Sequence, residues 1–141
     1  MSIKKFGSAH WEGSVKQGRG KVSTESGALA DQPYGFNTRF EGVPGSNPEE
    51  LIGAAHAGCF SMAFSMMLGE AGFEPEAIDT QATVTLDPDS LTVTGVHLDT
   101  TARVPGCDQA AFDQAAQGAK DNCPISKLLN AEITLDAKLT G

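Results

Sequence analysis

The sequence predicts a single α+β domain over residues 1–141, and three observations point to this class. Segments in which apolar and polar residues alternate with a period of two recur along the chain, which is typical of strands. Two helical segments separate them, and the order is strands, helix, strands, helix, strand, which is not a regular βαβ repeat. The length of 141 residues suits one domain with one core.

The first forty residues are expected to be rich in β structure. Glycines interrupt the segments at 10–13 and 20–23, as in a meander with turns. Tyr34, Phe36, Thr38 and Phe40 then alternate with smaller or polar residues. This periodicity predicts a strand that continues through Phe40.

A long helix follows, and its start is clear. Asn47 is a favourable N-cap, Pro48 fits the first helical position, and Glu50 lies three residues after the cap, as in a capping box. The helix is expected to end near residue 68, just before two glycines. Because the segment is apolar nearly all round, we expect burial on most of its faces.

This helix carries no charged residue between Leu51 and Leu68, a length that nearly spans a bilayer. It contains His56 and several glycines and serines, however, and the flanking segments have the pattern of amphipathic strands. We therefore interpret it as a buried helix of a globular domain and not as a membrane span. Gly53, Ala57 and Gly58 leave its surface smooth enough for another backbone to approach, including the same helix of a second subunit.

The second half of the chain predicts a hairpin, a helix and a final strand. Residues 78–86 and 91–104 form the hairpin around a turn at 87–90. Asp108 can cap a second helix, and Pro124 begins a short helical turn up to about Leu129. Residues 132–139 alternate strictly, which predicts a half-buried strand.

Charge and cysteine content narrow the function classes. The net charge of −8 makes nucleic acid an improbable partner, because phosphate contacts need clustered Lys or Arg. Cysteines at 59, 107 and 123 are odd in number and widely spaced, unlike a secreted disulfide framework. No apolar segment follows the charged N-terminal residues as in a signal peptide. We expect a reducing, cytoplasmic setting.

Each cysteine has a structural and a chemical interpretation. Cys59 in a buried helix can be a small packed hydrophobe, which composition alone favours. A reactive Cys59 needs a nearby cation, because it lies well past the first helical turn and gains little from the helix dipole. Cys123 precedes Pro124 and can be an N-cap whose sulfur accepts backbone N–H groups, or simply a packed residue. We interpret Cys107 as incidental.

His56 lies three residues before Cys59, on nearly the same helix face. A Cys–His pair is compatible with a cysteine hydrolase or acyltransferase, or with a metal site that includes Cys123. No further His or Cys motif has ligand spacing, so we interpret His56 as a buried, hydrogen-bonded residue that lines the pocket. The motif Gly18-Arg19-Gly20 is too short to indicate a nucleotide-binding site. No flavin, haem or nicotinamide cofactor is implied.

Three runs of the sequence carry a specific resemblance. They are YGFNTRFEG at 34–42, NPEELIGAAHAGCFSMA at 47–63 and NCPIS at 122–126. In residues and spacing they closely resemble the OsmC branch of the OsmC/Ohr family, the osmotically inducible and organic hydroperoxide resistance proteins. The resemblance extends over essentially the whole chain.

The resemblance implies a thiol-dependent peroxidase. Cys59 would be the peroxidatic cysteine, and Cys123 would resolve its sulfenic acid into a disulfide. Glu49 would pair with an arginine that polarises the thiolate; Arg39 matches that arginine in the OsmC branch, and Arg19 is the second choice. The implied fold is an intertwined α+β homodimer with antiparallel sheets around a long buried central helix that carries Cys59.

The expected substrates are organic hydroperoxides and, less efficiently, hydrogen peroxide, with a dithiol or a disulfide reductase to reset the disulfide. The alternative is a non-enzymatic thiol redox sensor or stress-binding protein. Ten residues of straight helix rise about 15 Å, which separates Glu49 from Cys59 along the axis. We therefore expect Glu49 and Arg39 to act, at least in part, on Cys59 of the other subunit.

Overall fold

A computed structural model describes all residues from 1 to 141. The chain divides into two compact units, residues 1–51 and residues 52–141, and each is described by itself. The prediction of one domain over the whole chain stays a prediction.

The first unit contains a three-stranded antiparallel sheet, as the glycine-broken pattern predicts. Its strands are β1 (Gly7–Glu12), β2 (Arg19–Thr24) and β3 (Gln32–Tyr34), in that spatial order. The rings of Trp11 on β1 and Tyr34 on β3 pack with centroids 5.5 Å apart. This pair covers the middle strand at Gly20, where a Cβ atom would collide with both rings.

The predicted strand through Phe40 is wrong, because Phe36–Phe40 forms a short helix, α1. The side chain of Thr38 explains the difference: its hydroxyl accepts a hydrogen bond from the Gly35 N–H at 3.1 Å and closes the first turn. Phe36 and Phe40 then stack one helical turn apart, with centroids at 4.9 Å. Over so few residues the same pattern is compatible with a strand and with a helix, and local capping decides between them.

The long helix α2 runs over Pro48–Glu70 and begins as predicted. The Oδ1 atom of Asn47 accepts the Glu50 backbone N–H at 2.9 Å, which is the N-cap hydrogen bond. The helix is continuous through Gly53 and ends two residues later than expected. Gly72 follows it with φ of +92°, and the Phe73 N–H returns to the Leu68 carbonyl at 2.9 Å.

The second unit contains a sheet of three strands, β4 (Ala77–Asp87), β5 (Thr92–Arg103) and β6 (Glu132–Thr140). β4 and β5 form the predicted hairpin, and Asp87 accepts hydrogen bonds from the Ser90 hydroxyl and the Asp89 N–H in its turn. β6 pairs with β5 in parallel, so the expectation of purely antiparallel sheets is wrong here. The crossover through two helices brings β6 back in the direction of β5.

Those two helices are α3 (Gln109–Asn122) and α4 (Pro124–Leu128). Asp108 caps α3 as predicted, because its carboxylate accepts the Ala111 N–H at 2.7 Å. The core of this unit combines apolar residues of α2, β5 and α3, with Phe64 and Phe112 packed at 5.2 Å between centroids. Its fully buried members from these elements are Phe60, Phe64, Leu68, Leu98, Ala102, Phe112 and Ala119.

The prediction that α2 is buried on most faces is wrong for the single chain. Its buried residues follow one stripe, Gly53, His56, Phe60, Phe64 and Leu68. The opposite face is exposed, including Met62 at 78% and Met66 at 57%. α2 has the length and apolar character to cross a membrane, but its buried stripe packs into the core of the second unit, as the core helix of a globular protein does.

Candidate functional site

Two of the three cysteines meet in the second unit. Cys59 projects from the middle of α2 and packs against the core that contains Cys123, at the junction of α3 and α4. Cys123 lies near enough to Cys59 to raise the pKa of the Cys59 thiol. Cys123 is fully buried, Cys59 is half-buried, and both are free thiols.

The surroundings of Cys59 within this unit favour the neutral thiol. Burial, the largest influence, raises the pKa of Cys59 above its ordinary value, and the neighbouring Cys123 raises it further. The backbone N–H of Ile125, in the first turn of α4, acts in the opposite direction. None of these influences comes from a cation. Within residues 52–141 the backbone N–H of Ile125 is thus the one influence that favours the thiolate.

Cys123 caps α4, as its position before Pro124 predicts. Its sulfur accepts a hydrogen bond from the Ser126 backbone N–H at 3.3 Å, and Pro124 occupies the first helical position. The same turn therefore offers N–H groups to both thiols, Ile125 to Cys59 and Ser126 to Cys123. Backbone donors of this kind stabilise a thiolate more than a thiol.

His56 reaches the same cluster from α2, one helical turn before Cys59. Its side chain is fully buried, and its Nε2 atom lies 2.7 Å from the Ser126 hydroxyl. The hydroxyl in turn lies 3.2 Å from the Cys123 sulfur. Burial lowers the pKa of His56, so the ring is neutral near pH 7. The prediction that His56 is buried and hydrogen-bonded is confirmed, but its link to Cys123 through Ser126 was not foreseen.

The contacts of His56 argue against a cysteine hydrolase. Such an enzyme needs a third group that orients the histidine, and the His56 Nδ1 atom is buried without a hydrogen-bond partner. The hydrogen bond of its other nitrogen goes to Ser126. No group of three His, Cys, Asp or Glu side chains is arranged to hold a metal ion.

The first unit contains the second pair of predicted site residues. Arg39 lies in the last turn of α1 and Glu49 in the first turn of α2, and the two form a bidentate ion pair. Arg39 donates from Nε to one carboxylate oxygen at 3.0 Å and from Nη2 to the other at 2.9 Å. The hydrogen bond to Glu49 raises the pKa of Arg39, which keeps the guanidinium charged.

Aromatic side chains surround this guanidinium. Its carbon lies 5.3 Å from the centroid of the Phe40 ring, and Arg39 lines an open pocket of about 280 Å³ within the first unit. The other side chains that line this pocket are Trp11, Val15, Tyr34, Phe36 and Phe40. Phe60 and Phe64 belong to the core, and Met62 is on the exposed face of α2.

Arg19 and Cys107 lie in other surroundings. Arg19 begins β2 and lines a different cavity, beside Glu12 and Lys21. Cys107 lies in the turn before α3, and its thiol contacts the Asp108 carbonyl at 3.4 Å. The structure thus brings the predicted residues together as two pairs, Arg39 with Glu49 and Cys59 with Cys123.

Comparison with known proteins gives the family. The model of the OsmC-like protein family matches residues 40–138. Over 141 residues, covering 99% of each chain, the sequence is 60% identical to peroxiredoxin OsmC of Escherichia coli. It is 28% identical over 123 residues to the organic hydroperoxide resistance protein OhrB of Bacillus subtilis, covering 84% of this chain and 89% of the relative.

Solved structures show the same fold at low identity. An OsmC-like protein of unknown function from Vibrio cholerae superposes with a TM-score of 0.76 at 17% identity, covering 96% of this chain and 99% of its own. An organic hydroperoxide resistance protein from Legionella pneumophila gives a TM-score of 0.71 at 19% identity, covering 99% and 98%.

Proposed function

Because the chain belongs to the OsmC family, we propose that it is a cysteine-based peroxidase that reduces organic hydroperoxides in defence against oxidative stress. The observation that carries the proposal is that Cys59 packs against the core cluster that contains Cys123, the N-cap of α4, and lies near enough to it for Cys123 to raise the Cys59 pKa. Two neighbouring thiols can pass through a complete cycle of oxidation and disulfide formation. The full-length relation to a peroxiredoxin supports the same activity.

In the first step the Cys59 thiolate attacks the outer oxygen of the hydroperoxide. An S–O bond forms, the O–O bond breaks, and Cys59 becomes a sulfenic acid while the alcohol leaves after taking up a proton. Arg39 stabilises the thiolate and then the negative charge on the departing oxygen. Glu49 holds the guanidinium in one orientation through both of its hydrogen bonds.

Arg39 and Glu49 of one subunit serve Cys59 of the other. α2 is one continuous helix from Pro48 to Glu70, so Gly53 introduces no break that could fold Glu49 back. Ten residues of such a helix rise about 15 Å, too far for a carboxylate to reach its own Cys59 directly. The exposed apolar face of α2, which includes Met62 and Met66, supports a homodimer in which this helix packs against its copy.

In the second step Cys123 attacks the Cys59 sulfenic acid. A disulfide forms, the S–O bond breaks, and hydroxide leaves as water with the proton of the Cys123 thiol. The proximity of Cys123 to Cys59 favours this step over further oxidation of Cys59. A dithiol or a disulfide reductase then reopens the disulfide, which places the cycle in a reducing compartment such as the cytoplasm.

The pocket around Arg39 supports organic hydroperoxides as the main substrates. Trp11, Phe36 and Phe40 present aromatic surface beside the guanidinium. Transfer of an alkyl or aryl group from water to such a surface lowers the free energy, whereas hydrogen peroxide has no apolar group to bury. Cumene hydroperoxide should therefore give a higher kcat/KM than hydrogen peroxide.

Peroxide consumption with a dithiol donor tests the proposal. We expect many turnovers per chain with dithiothreitol and cumene hydroperoxide, complete loss in Cys59→Ser, and retention in Cys107→Ser, the matched control. A thiol sensor would consume one equivalent and stop. Consumption that stops at one equivalent, or that survives Cys59→Ser, would refute the peroxidase.

A further inference from the structure

A buried chain of hydrogen bonds leads from His56 to the sulfur of Cys123. The His56 Nε2 atom lies 2.7 Å from the Ser126 hydroxyl, and that hydroxyl lies 3.2 Å from Cys123 Sγ. The Ser126 backbone N–H also points at this sulfur, at 3.3 Å. His56 and Cys123 are both fully buried and Ser126 between them is partly buried, so solvent has limited access to these hydrogen bonds.

The unpaired nitrogen of His56 determines which atoms donate and which accept in these hydrogen bonds. Nδ1 is buried without a partner, and a buried N–H without an acceptor costs more than an unused lone pair. The neutral ring therefore carries its hydrogen on Nε2 and donates it to the Ser126 hydroxyl. Ser126 has accepted this hydrogen bond, and its own hydrogen is free to point at Cys123.

Two donors then converge on the Cys123 sulfur, the hydroxyl and the backbone N–H of Ser126. Both lie within hydrogen-bonding distance of the sulfur, at 3.2 and 3.3 Å, and hold it in one orientation. The cap of α4 requires only the backbone N–H, and any small residue at position 126 would supply it. The hydroxyl and the buried histidine behind it are additional, and packing alone would accept an apolar side chain in place of His56.

We propose that Ser126 and His56 are positioning residues that prepare Cys123 to resolve the Cys59 sulfenic acid. Ser126 donates to the Cys123 thiolate, and the neutral His56 ring holds the serine hydroxyl in the donating orientation. Cys123 then attacks Cys59; the S–S bond forms, the S–O bond breaks, and the hydroxide leaves as water with the proton that Cys123 has released. Cys123 is oxidised and the Cys59 sulfur is reduced.

This inference rests on the proposed peroxidase cycle but concerns only its second step. It predicts a defect in disulfide formation alone when one of these hydrogen bonds is removed. Without the Ser126 hydroxyl, the sulfenic acid at Cys59 persists longer and meets a second peroxide more often. The product of that encounter is the sulfinic acid, which thiols do not reduce.

The test separates the two steps in the intact protein. The fully reduced chain is mixed with one equivalent of cumene hydroperoxide and quenched at intervals, and mass spectrometry follows sulfenic acid and disulfide separately. We expect Ser126→Ala to slow disulfide formation about 10- to 100-fold more than it slows Cys59 oxidation, the effect of one hydrogen bond to a charged group. His56→Leu should behave similarly, and excess peroxide should convert both variants to the sulfinic acid.

Conservative variants distinguish positioning from folding. Ser126→Thr keeps the hydroxyl and His56→Gln keeps a neutral donor, so both should recover most of the disulfide rate. Equal rates of disulfide formation in the wild type and Ser126→Ala would overturn the inference and leave the peroxidase intact, as would a Thr variant no faster than the Ala variant. A wild-type chain that consumes no peroxide would overturn the proposed function together with this inference.

Discussion

Arg39 and Glu49 lie side by side, with each carboxylate oxygen of Glu49 within 3.0 Å of a guanidinium nitrogen. Only the planar fork of arginine can make both hydrogen bonds at once, so this pair fixes the direction as well as the position of the charge. The pair forms without any help from the second unit, which contains the thiols. The guanidinium is therefore held in one orientation by residues of the first unit alone.

Arg39→Lys should lower kcat/KM for cumene hydroperoxide by about 10²-fold, because lysine keeps the charge but loses the fork that orients it. Arg19→Lys is the discriminating comparison, since Arg19 is the other arginine that the family resemblance allows. Arg103, an exposed arginine 3.8 Å from Glu76, gives the control variant Arg103→Lys. A larger loss of kcat/KM in Arg19→Lys than in Arg39→Lys would show that Arg19, and not Arg39, is the arginine that acts on Cys59.

The pH dependence of Cys59 oxidation should shift when the cation is removed. Burial raises the pKa of the Cys59 thiol, and the proposed guanidinium counteracts this effect. Arg39→Met should therefore move the midpoint of the pH–rate profile upward by about one unit or more, because a higher pH is then needed to form the thiolate. Stopped-flow rates of the first oxidation step measure this directly. An unchanged midpoint would show that Arg39 does not act on the thiolate.

A bulky residue at Gly58 should separate the subunits without harming the single chain. A Cβ atom at Gly58 meets nothing within 4 Å, so Gly58→Leu fits the isolated chain and removes a glycine from the middle of a helix. If α2 packs closely against its copy, the leucine blocks that approach. We expect light scattering after gel filtration to find a monomer without peroxidase activity.

The matched control for this variant is Gln117→Leu, which places a leucine on the exposed surface of α3. It should remain dimeric and active. An active monomer, in either variant, would contradict the proposal that the active site is shared between subunits.

His56 should make the stability of the chain depend on pH. Its folded pKa is lowered by burial relative to the ordinary value of 6.5, so the unfolded chain binds the proton more tightly. The resulting stability is complete above pH 6.5 and is lost as the pH falls toward the folded pKa. Urea unfolding at several pH values between 7 and 5 should show a smaller loss for His56→Gln than for the wild type.

The exposed His10, with 69% of its side chain accessible, provides the comparison for this measurement. His10→Gln should retain the wild-type loss of stability on acidification. If His56→Gln loses as much stability as the wild type over this range, His56 is not a buried neutral ring.

Phe64 should be among the most costly core residues to truncate. It is fully buried and packs against Phe60 and Phe112, with centroids 5.5 and 5.2 Å away. Phe64→Ala should reduce the free energy of unfolding by about 3–5 kcal/mol, through lost burial and the cavity left behind. Phe6, which is 64% exposed, gives the control Phe6→Ala, for which a change within about 0.5 kcal/mol is expected. Similar losses in both variants would contradict this description of the core.

Much of the fold could be predicted because local chemistry specifies it. The caps at Asn47, Asp108 and Cys123 each use a side chain next to the helix start, so the sequence alone reveals them. The strand direction of β6 could not be predicted in this way. An alternating segment has the same pattern whether it pairs in parallel or antiparallel, and only the crossover through α3 and α4 decides.

The candidate site could be predicted only where a family motif or residues adjacent in the sequence indicate it. Ser126 and His56 are seventy residues apart, and nothing in either segment indicates their contact. The aromatic surroundings of Arg39 could not be predicted for a related reason. Trp11 belongs to β1, and Phe36 belongs to a helix where the alternating pattern predicts a strand. Long-range packing brings such groups together, and a single sequence contains no direct record of it.

We propose that Cys59 and Cys123 form the redox couple, and a single oxidation experiment tests this pairing. The reduced chain is treated with one equivalent of cumene hydroperoxide, digested without reduction, and analysed by mass spectrometry. We expect an intrachain Cys59–Cys123 disulfide with Cys107 still a free thiol. A disulfide that includes Cys107, or a Cys59 that remains reduced while peroxide is consumed, would contradict it.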